Sequence, residues 1–259
     1  MPELETKLRK TTLGALLDAE RLPSGVPYTL HPDTVEFGLK VAEAADPLKW
    51  REKALQVMAV VDTVNGQSVK SSGGVEFVCS LLDTDVVFLA MAWSCGVNGR
   101  DMKFDKALPC PRCTTPFQKV DLGQLTIMAR DEQATGVHAI QELAIEPELL
   151  AKLPPSIRDG KLLVKDPTWR DARSRVPANC AGDLTVIDVH RALCAVMVQH
   201  GEKAPRAVVQ AESKQFPMKA IQVILAEMDR LVPNFNHELQ FVCKECGLEI
   251  DIPFDRAGA

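Results

Sequence analysis

The sequence is poor in aromatic residues and has no long hydrophobic run. Aromatic side chains make up 5% of the 259 residues, and tyrosine occurs once, so few rings are present for stacking on nucleic-acid bases. No apolar run approaches the ~18 residues of a membrane-spanning helix. The first residues, Met-Pro-Glu-Leu-Glu-Thr-Lys, lack the apolar core of a secretory signal. We therefore expect no membrane association and a reducing cytosolic environment.

Basic clusters are also missing. The chain carries 30 Lys and Arg against 35 Asp and Glu, a formal net charge of −5. The nearest approach to a basic patch is Arg170, Arg173 and Arg175, and it is diluted by Asp166 and Asp171. Nucleic-acid-binding domains normally concentrate Lys and Arg on one face. The charge balance therefore disfavours nucleic acid as a partner.

The sequence contains none of the common catalytic motifs. It has no glycine-rich dinucleotide or phosphate loop, no H-E-x-x-H and no G-x-S-x-G. Cys194 lies near His190 and His200, a combination that could form a nucleophile pair, but no third group is recognisable. Asp83 and Asp85 are predicted to serve the start of a helix. We expect no catalytic residues and no enzyme activity.

Two C-x-x-C motifs are the most informative feature of the chain. They are Cys110-Pro-Arg-Cys113 and Cys243-Lys-Glu-Cys246, and Gly247 follows the second. Each motif is predicted to form a knuckle, a tight turn that presents two thiolates to one centre. Together they supply four sulfur ligands, enough for a closed tetrahedral Zn²⁺ site. The sequence therefore predicts one structural zinc per chain, held by Cys110, Cys113, Cys243 and Cys246.

The cysteines also allow interpretations other than one shared metal site. A thioredoxin-like motif would be followed by a helix, and neither pair is followed by a helical pattern. His237 lies close enough to Cys243 in sequence to replace a ligand. Cys79 and Cys95 fall in apolar helical segments and are expected to be core thiols. With no secretory signal, the four cysteines outside the knuckles are expected to stay unbonded.

The long separation of the two motifs determines the predicted fold class. Residues 114–242 lie between the pairs, where a simple zinc ribbon needs only ~15–20 residues. We therefore predict an α+β protein: a split four-cysteine zinc ribbon, helical segments before it, and a mixed α/β insertion between the knuckles. The predicted regions are an N-terminal arm, strand and helical region at 1–98, a split ribbon at 99–122 and 236–256, and an inserted region at 123–235.

Hydrophobic periodicity and turn residues predict the elements within these regions. Strands are expected on both sides of each knuckle. The other expected elements are a strand at 35–41, a helix from Asp46-Pro47 to Asn65-Gly66, buried helices at 75–82 and 84–95, a short helix at 142–153, a strand at 161–165, a helix then a strand at 184–198, and a helix from Pro217 to Pro233.

The order of several motifs resembles a known family. These motifs are Leu22-Pro-Ser-Gly-Val-Pro-Tyr28, the helical pair that contains Leu81-Leu-Asp-Thr-Asp85, the two knuckles, and Met228-Asp-Arg230. In this respect the chain resembles the baseplate hub assembly proteins of contractile-tailed bacteriophages and related contractile injection systems. The resemblance covers residues 22–254, with no counterpart for residues 155–182.

The resemblance implies a structural or assembly role and no catalysis. It implies tail, hub or baseplate proteins as partners and the cytoplasm of a bacterial host as the place of assembly. Whether the protein stays in the finished virion tail, and in what oligomeric state, is left open. A zinc-ribbon nucleic-acid-binding accessory factor is the alternative function. It would need a basic ribbon face, and acidic residues outnumber basic ones around the knuckles.

Overall fold

The computed structural model describes residues 8–31, 49–130, 141–143, 145–174, 184–235 and 238–253. These residues form helices and small sheets of two to four strands, so the prediction of a mixed α and β protein is confirmed. Among them, no helix combines the length and the apolar character needed to cross a bilayer. The strand predicted at 35–41, the start of the helix predicted at Asp46-Pro47, Cys180 and His237 lie outside the described residues.

The helices and strands have the following bounds. Up to residue 130 the elements are β1 (Leu8–Thr12), α1 (Leu13–Asp18), β2 (Tyr28–Leu30), α2 (Lys49–Val60), β3 (Val61–Val64), β4 (Gln67–Ser68), α3 (Val75–Ser80), α4 (Asp83–Asn98), β5 (Asp101–Pro109), β6 (Pro116–Asp121) and β7 (Thr126–Arg130). From residue 141 they are β8 (Gln141–Glu142), α5 (Pro147–Leu150), α6 (Pro155–Arg158), β9 (Lys161–Val164), α7 (Trp169–Arg173), α8 (Leu184–Ala195), β10 (Val196–Gln199), β11 (Arg206–Ala207), α9 (Gln210–Ser213), α10 (Met218–Leu231), β12 (Asn234–Phe235), β13 (Glu238–Val242) and β14 (Glu249–Pro253).

A first hydrophobic core is built around α4. Its first three turns are buried on nearly every side, as the sequence predicts, and Phe88 and Leu89 have no exposed surface. Tyr28 packs edge-on against Phe88, with ring centroids 5.7 Å apart. Residues from α1, α2 and α3 complete the core. The last turn of α4 is exposed, so the helix is buried only where other elements cover it.

Strand β7 connects three distant parts of the chain in one sheet. It pairs antiparallel with β1, from Leu8 opposite Arg130 to Thr12 opposite Thr126. On its other side it pairs antiparallel with β12, where Phe235 lies opposite Ile127. Because Ile127 and Phe235 are buried in the first core, this sheet fixes both ends of the long segment between the knuckles.

A second hydrophobic core lies within that long segment. The strands run in the order β11-β10-β9-β8, all antiparallel, and α8 and α10 contribute to the same cluster. Helix α10 buries Ala220, Ile221, Ile224 and Met228. Met218, at the start of the helix, is 63% exposed and lies outside this buried face.

Helix α7 connects the long segment between the knuckles to the first core. Trp169 is 4% exposed and belongs to the core around α4. Its backbone N–H donates to Leu81 O at 2.8 Å. The guanidinium of Arg173 lies over the Trp169 ring at 4.7 Å and donates to the Asp83 carboxylate at 2.8 Å.

Two predicted helix ends are wrong. The helix predicted to run to Asn65-Gly66 ends at Val60, and Val61–Val64 forms a strand instead. Asn65 and Gly66 have φ values of 53° and 71°, which suits the two-residue turn of a hairpin, so Asn-Gly here joins two strands. In α4 the predicted stop at Gly96 is passed, and the helix continues to Asn98. Gly99, with φ 77°, follows its last residue.

Asp83 and Asp85 lie in the first turn of α4, as predicted, but neither of them caps the helix. Leu82 is the N-cap of α4, and no side chain caps that end. Both carboxylates are buried and bind residues far away in the sequence: Asp83 binds Arg173, and Asp85 binds the backbone of Ser24. The 142–153 segment likewise gives only β8 and the single turn α5, because Pro147 starts a helix late and Pro154 follows its end.

Candidate metal centre

Each C-x-x-C pair lies at the tip of an antiparallel hairpin. The first hairpin pairs β5 with β6, and Pro109 lies opposite Pro116 at its end. The second pairs β13 with β14, and Val242 lies opposite Glu249. The strands predicted on both sides of each knuckle are thus confirmed.

The sheet around β7 explains how knuckles so distant in sequence come together. The first hairpin ends just before β7, and the second begins just after β12. Because β7 and β12 are antiparallel neighbours with Phe235 opposite Ile127, the start of one strand lies beside the end of the other. Both hairpins therefore leave the sheet at the same end of its strands.

The two knuckles have the same backbone hydrogen bonds. Cys110 N–H donates to Thr115 O at 3.0 Å, and Cys243 N–H donates to Leu248 O at 2.9 Å. Within each turn, Thr114 N–H donates to Cys110 O at 2.9 Å, as Gly247 N–H does to Cys243 O at 2.8 Å. The two tips are therefore structural copies of one another.

Both turns require one residue in the left-handed backbone region. It is Gly247 in the second knuckle, with φ 68°, and Thr114 in the first, with φ 59°. Glycine adopts this conformation without a steric penalty, whereas a β-branched residue is strained there. The Thr114 hydroxyl donates to Cys113 O at 2.7 Å, a local bond that offsets part of the strain.

The four sulfur atoms form one compact cluster. Cys110 Sγ lies 3.6 Å from Cys246 Sγ, and Cys113 Sγ lies 3.6 Å from Cys243 Sγ. All four Sγ atoms lie within 4.8 Å of one another, whereas a disulfide bond is about 2.05 Å long. A tetrahedral ion with metal–sulfur bonds of about 2.3 Å places its sulfurs ~3.8 Å apart. The cluster therefore suits a four-coordinate metal ion after a small contraction.

Hydrogen bonds at the knuckles favour thiolates. The hydroxyl of Thr115, 3.2 Å from Cys113 Sγ, and the Thr115 backbone N–H lower the pKa of Cys113 to about 6. The backbone N–H of Cys113 lowers the pKa of Cys110. At Cys246 the Leu248 N–H acts in the same direction, but burial and the neighbouring sulfurs raise the pKa to about 12. Four adjacent thiolates repel one another, and a cation among them removes that repulsion.

The arrangement leaves little room for catalysis at this centre. Cys110 and Cys243 are buried, and Cys113 and Cys246 are partly buried. A closed four-sulfur site has no open position for a substrate, and such sites are structural. Thus the four cysteines that the sequence selects are brought together, and their sulfur atoms lie close enough to hold one metal ion.

The other candidate residues lie elsewhere. Cys79, Cys95 and Cys194 are buried and form no disulfide bond, in accord with the predicted core roles of the first two. Cys194 Sγ donates to Asp171 O at 2.9 Å, and His200 Nε2 lies 2.9 Å from Ser156 O. The thiol and this imidazole are thus engaged with different backbone carbonyls.

A buried ionic cluster was not anticipated from the sequence. Arg130 pairs with Asp166 at 2.5 Å, and both side chains are at most 4% exposed. Arg173 and Arg191 flank Asp83 at 2.8 and 3.8 Å. These partners are tens of residues apart in the sequence, so no local motif predicts the pairs. The signal that the sequence does offer is the presence of charged residues within apolar segments.

Compared with known proteins, the chain matches no protein-family model, no curated protein and no solved structure.

Proposed function

We propose that Cys110, Cys113, Cys243 and Cys246 bind one structural Zn²⁺ per chain. The observation that carries this proposal is the cluster of four sulfurs at the tips of two hairpins. Thiolates are soft ligands, and a tetrahedral all-sulfur site suits zinc. In this proposal the two hairpins are the halves of a split zinc ribbon, and the ion cross-links positions 130 residues apart.

Elemental analysis of purified protein should find one zinc per chain. Replacing Cys246 by Ser leaves three sulfur ligands, so the metal should be lost together with the folding free energy that it contributes. We expect a loss of about 4 kcal/mol or more, equivalent to a melting temperature lower by about 8–16 °C. Cys95→Ala, which removes a buried thiol outside the cluster, should retain the zinc. Bound iron, or a Cys246→Ser variant that melts like the parent, would contradict the proposal.

We propose further that the protein is a structural or assembly protein of a contractile phage-type tail and acts at the baseplate or hub through protein–protein contacts. The resemblance of its motif order to baseplate hub assembly proteins supports this role. So does a metal site with no open coordination position, since it suits a rigid support better than a reaction centre. In this proposal the protein acts in the cytoplasm of a bacterial host.

The surface near the knuckles favours this role over nucleic-acid binding. Lys119 is paired with Asp101 at 2.5 Å, which neutralises one of the basic groups of the first hairpin. Lys244 is exposed beside Glu245, which is also exposed. Val242 and Leu108, which precede the two knuckles, are 51% and 38% exposed. Exposed apolar side chains beside paired charges suit contact with another protein.

The functional test compares assembly with nucleic-acid binding. Deleting the gene in the native host should leave tails missing or without baseplates, and tail proteins should co-purify with the tagged protein. The purified protein should show no salt-sensitive retention of DNA. Binding through 6–10 phosphates would instead weaken by roughly 10³–10⁵ between 50 and 200 mM salt. Normal tails in the deletion strain, together with such salt-sensitive binding, would favour the nucleic-acid-binding alternative.

A further inference from the structure

A cavity of about 250 Å³ lies between the turn at Pro23–Gly25, the junction of α3 and α4, and the end of β7. Its walls combine an apolar surface with a group of buried charges. Its apolar lining consists of Leu22, Val26, Val64, Phe77, Leu81 and Leu82. Three further lining residues, Asn65, Gln67 and Ser80, are exposed, so the cavity opens to solvent on their side.

The charged wall contains two carboxylates and one guanidinium. Arg130 binds Asp166 through Nη2 at 2.5 Å, and its backbone N–H donates to Pro23 O at 2.8 Å. Asp85 accepts a hydrogen bond of 3.0 Å from the backbone N–H of Ser24. Asp85, Arg130 and Asp166 are between 1% and 4% exposed. The wall is therefore a fixed polar surface inside the protein and not a solvated patch.

Two charged groups of this wall are incompletely paired among the described residues. The Nη1 atom of Arg130 is buried, and none of them supplies it with a hydrogen-bond acceptor. Asp85 makes no ion pair with any of them, and its burial raises its pKa to about 7. A buried donor without an acceptor costs about 1–3 kcal/mol, and a buried carboxylate without a cation is also destabilising. Among the described residues, the wall thus has a guanidinium donor without an acceptor and a carboxylate without a paired cation.

We propose that this cavity binds a small aliphatic ligand whose head group joins an ammonium to a neighbouring carbonyl oxygen. This chemistry is shared by amino-acid derivatives and by the N-terminus of a polypeptide. The site lies apart from the metal centre and goes beyond the proposed assembly role.

Each part of this ligand corresponds to a feature of the cavity. The ammonium pairs with Asp85 and restores the charge balance of a wall with one more carboxylate than guanidinium. The carbonyl oxygen accepts a hydrogen bond from Arg130 Nη1, and the aliphatic group lies against the leucine and valine side chains. Because pockets for drug-sized ligands begin at about 300 Å³, a cavity of this size selects a head group with one short side chain.

The cavity also gives a structural role to two sequence motifs that the metal centre does not use. Leu22-Pro-Ser-Gly-Val-Pro-Tyr28 forms one wall, and Leu81-Leu-Asp-Thr-Asp85 forms another. The hydrogen bond from Ser24 N–H to Asp85 joins them across 61 positions. The turn therefore holds the Asp85 carboxylate at the cavity wall.

The test is calorimetric titration of the zinc-loaded protein with three matched probes. Leucinamide carries both head groups, 3-methylbutylamine only the amine, and 4-methylpentanamide only the amide. Leucinamide should bind at least about tenfold more tightly than either fragment, because each fragment lacks one charge-assisted bond. Equal binding of leucinamide and 4-methylpentanamide, or no binding of leucinamide, would overturn the proposal.

Variants test the location of the site. Asp85→Asn keeps an acceptor for Ser24 N–H but removes the charge, so leucinamide affinity should fall by at least about tenfold. Ser80→Trp should block the mouth and abolish binding, whereas Ser72→Trp, at an exposed serine outside the cavity, should not. Unchanged binding in both Asp85→Asn and Ser80→Trp would overturn the proposal. A Leu-Gly-Gly peptide then distinguishes the sources: binding like leucinamide indicates a chain N-terminus, and exclusion indicates a free amino-acid derivative.

Discussion

At the scale of single residues, burial of the ionised Asp85 carboxylate lowers the free energy of unfolding by an amount that depends on pH. Its pKa is raised from 3.8 to about 7 by burial, despite the hydrogen bond from Ser24. The folded protein therefore holds this proton more tightly than the unfolded chain between about pH 4 and pH 7. Over that window the free energy of unfolding falls as the pH rises, by at most about 1.4 kcal/mol per pH unit.

Replacing Asp85 by Asn should remove this dependence. The amide accepts the Ser24 N–H but cannot ionise, so the variant should gain stability relative to the parent as the pH rises. Between pH 5 and pH 7 the difference in the free energy of unfolding should grow by roughly 2 kcal/mol, and it should level off above pH 7. Urea unfolding of both proteins across this range, with zinc in the buffer, measures the difference. Parallel curves would show that Asp85 is ionised throughout.

Residues whose roles depend on near neighbours in the sequence were predictable, and those that depend on distant partners were not. The C-x-x-C spacing identified Cys110 and Cys243 because a knuckle is formed by consecutive residues. The role of Asp83 was missed because its partner Arg173 is 90 positions away. An acidic residue at a helix start has an ordinary local explanation, and only the folded chain shows that it is buried.

At the scale of elements, the two knuckles are a matched pair with different residues at one position. The left-handed position holds Gly247 in one and Thr114 in the other. A side chain added at Gly247 would meet no atom within 4 Å, so any penalty there comes from the backbone conformation and not from a clash.

Gly247→Ala should therefore destabilise the protein by about 1–2 kcal/mol. Gly96→Ala is the matched control, since Gly96 lies within α4 and its added methyl group would also be free of contacts. There alanine should stabilise by roughly 0.5–1 kcal/mol, because it favours the helix more than glycine does. Thermal unfolding of the two variants should shift in opposite directions. An unchanged or higher melting temperature of Gly247→Ala would show that this turn tolerates alanine.

Element types were easier to predict from the sequence than element ends. The strand β9 and the helix followed by a strand at α8 and β10 were found from their apolar patterns. The end of α2 was missed because Asn-Gly is both a helix-stop signal and a hairpin-turn signal. The choice between them depends on β3 pairing with β2 and β4, and no local pattern contains that information.

At the scale of the whole molecule, the protein has two cores but a weaker periphery at the hairpins. Each hairpin is a two-stranded sheet of its own, and such sheets are marginally stable in water. Strands β9 and β10 instead belong to a four-stranded sheet covered by helices. If a metal ion joins the knuckle tips, its removal should loosen the hairpins first.

Chelation at room temperature should therefore raise hydrogen exchange selectively. Backbone amides of Pro116–Asp121 and Glu238–Val242 should lose protection, while those of Lys161–Val164 and Val196–Gln199 should keep it. Mass spectrometry of peptides from chelated and zinc-loaded protein measures the difference. Simultaneous loss of protection in all four strands would instead show that the metal supports both cores.

The sequence separation of the two knuckles also has a consequence in time. Cys243 follows Cys113 by 130 positions, and a ribosome adds about 5–20 residues per second. The second knuckle therefore leaves the ribosome about 6–26 s after the first. Throughout that interval the nascent chain exposes only the two thiols of the first knuckle, and these cannot form the complete four-cysteine centre. If the four cysteines bind a metal ion, its loading must wait until the second hairpin has been synthesised, and a chain that stops before Cys246 lacks the complete site.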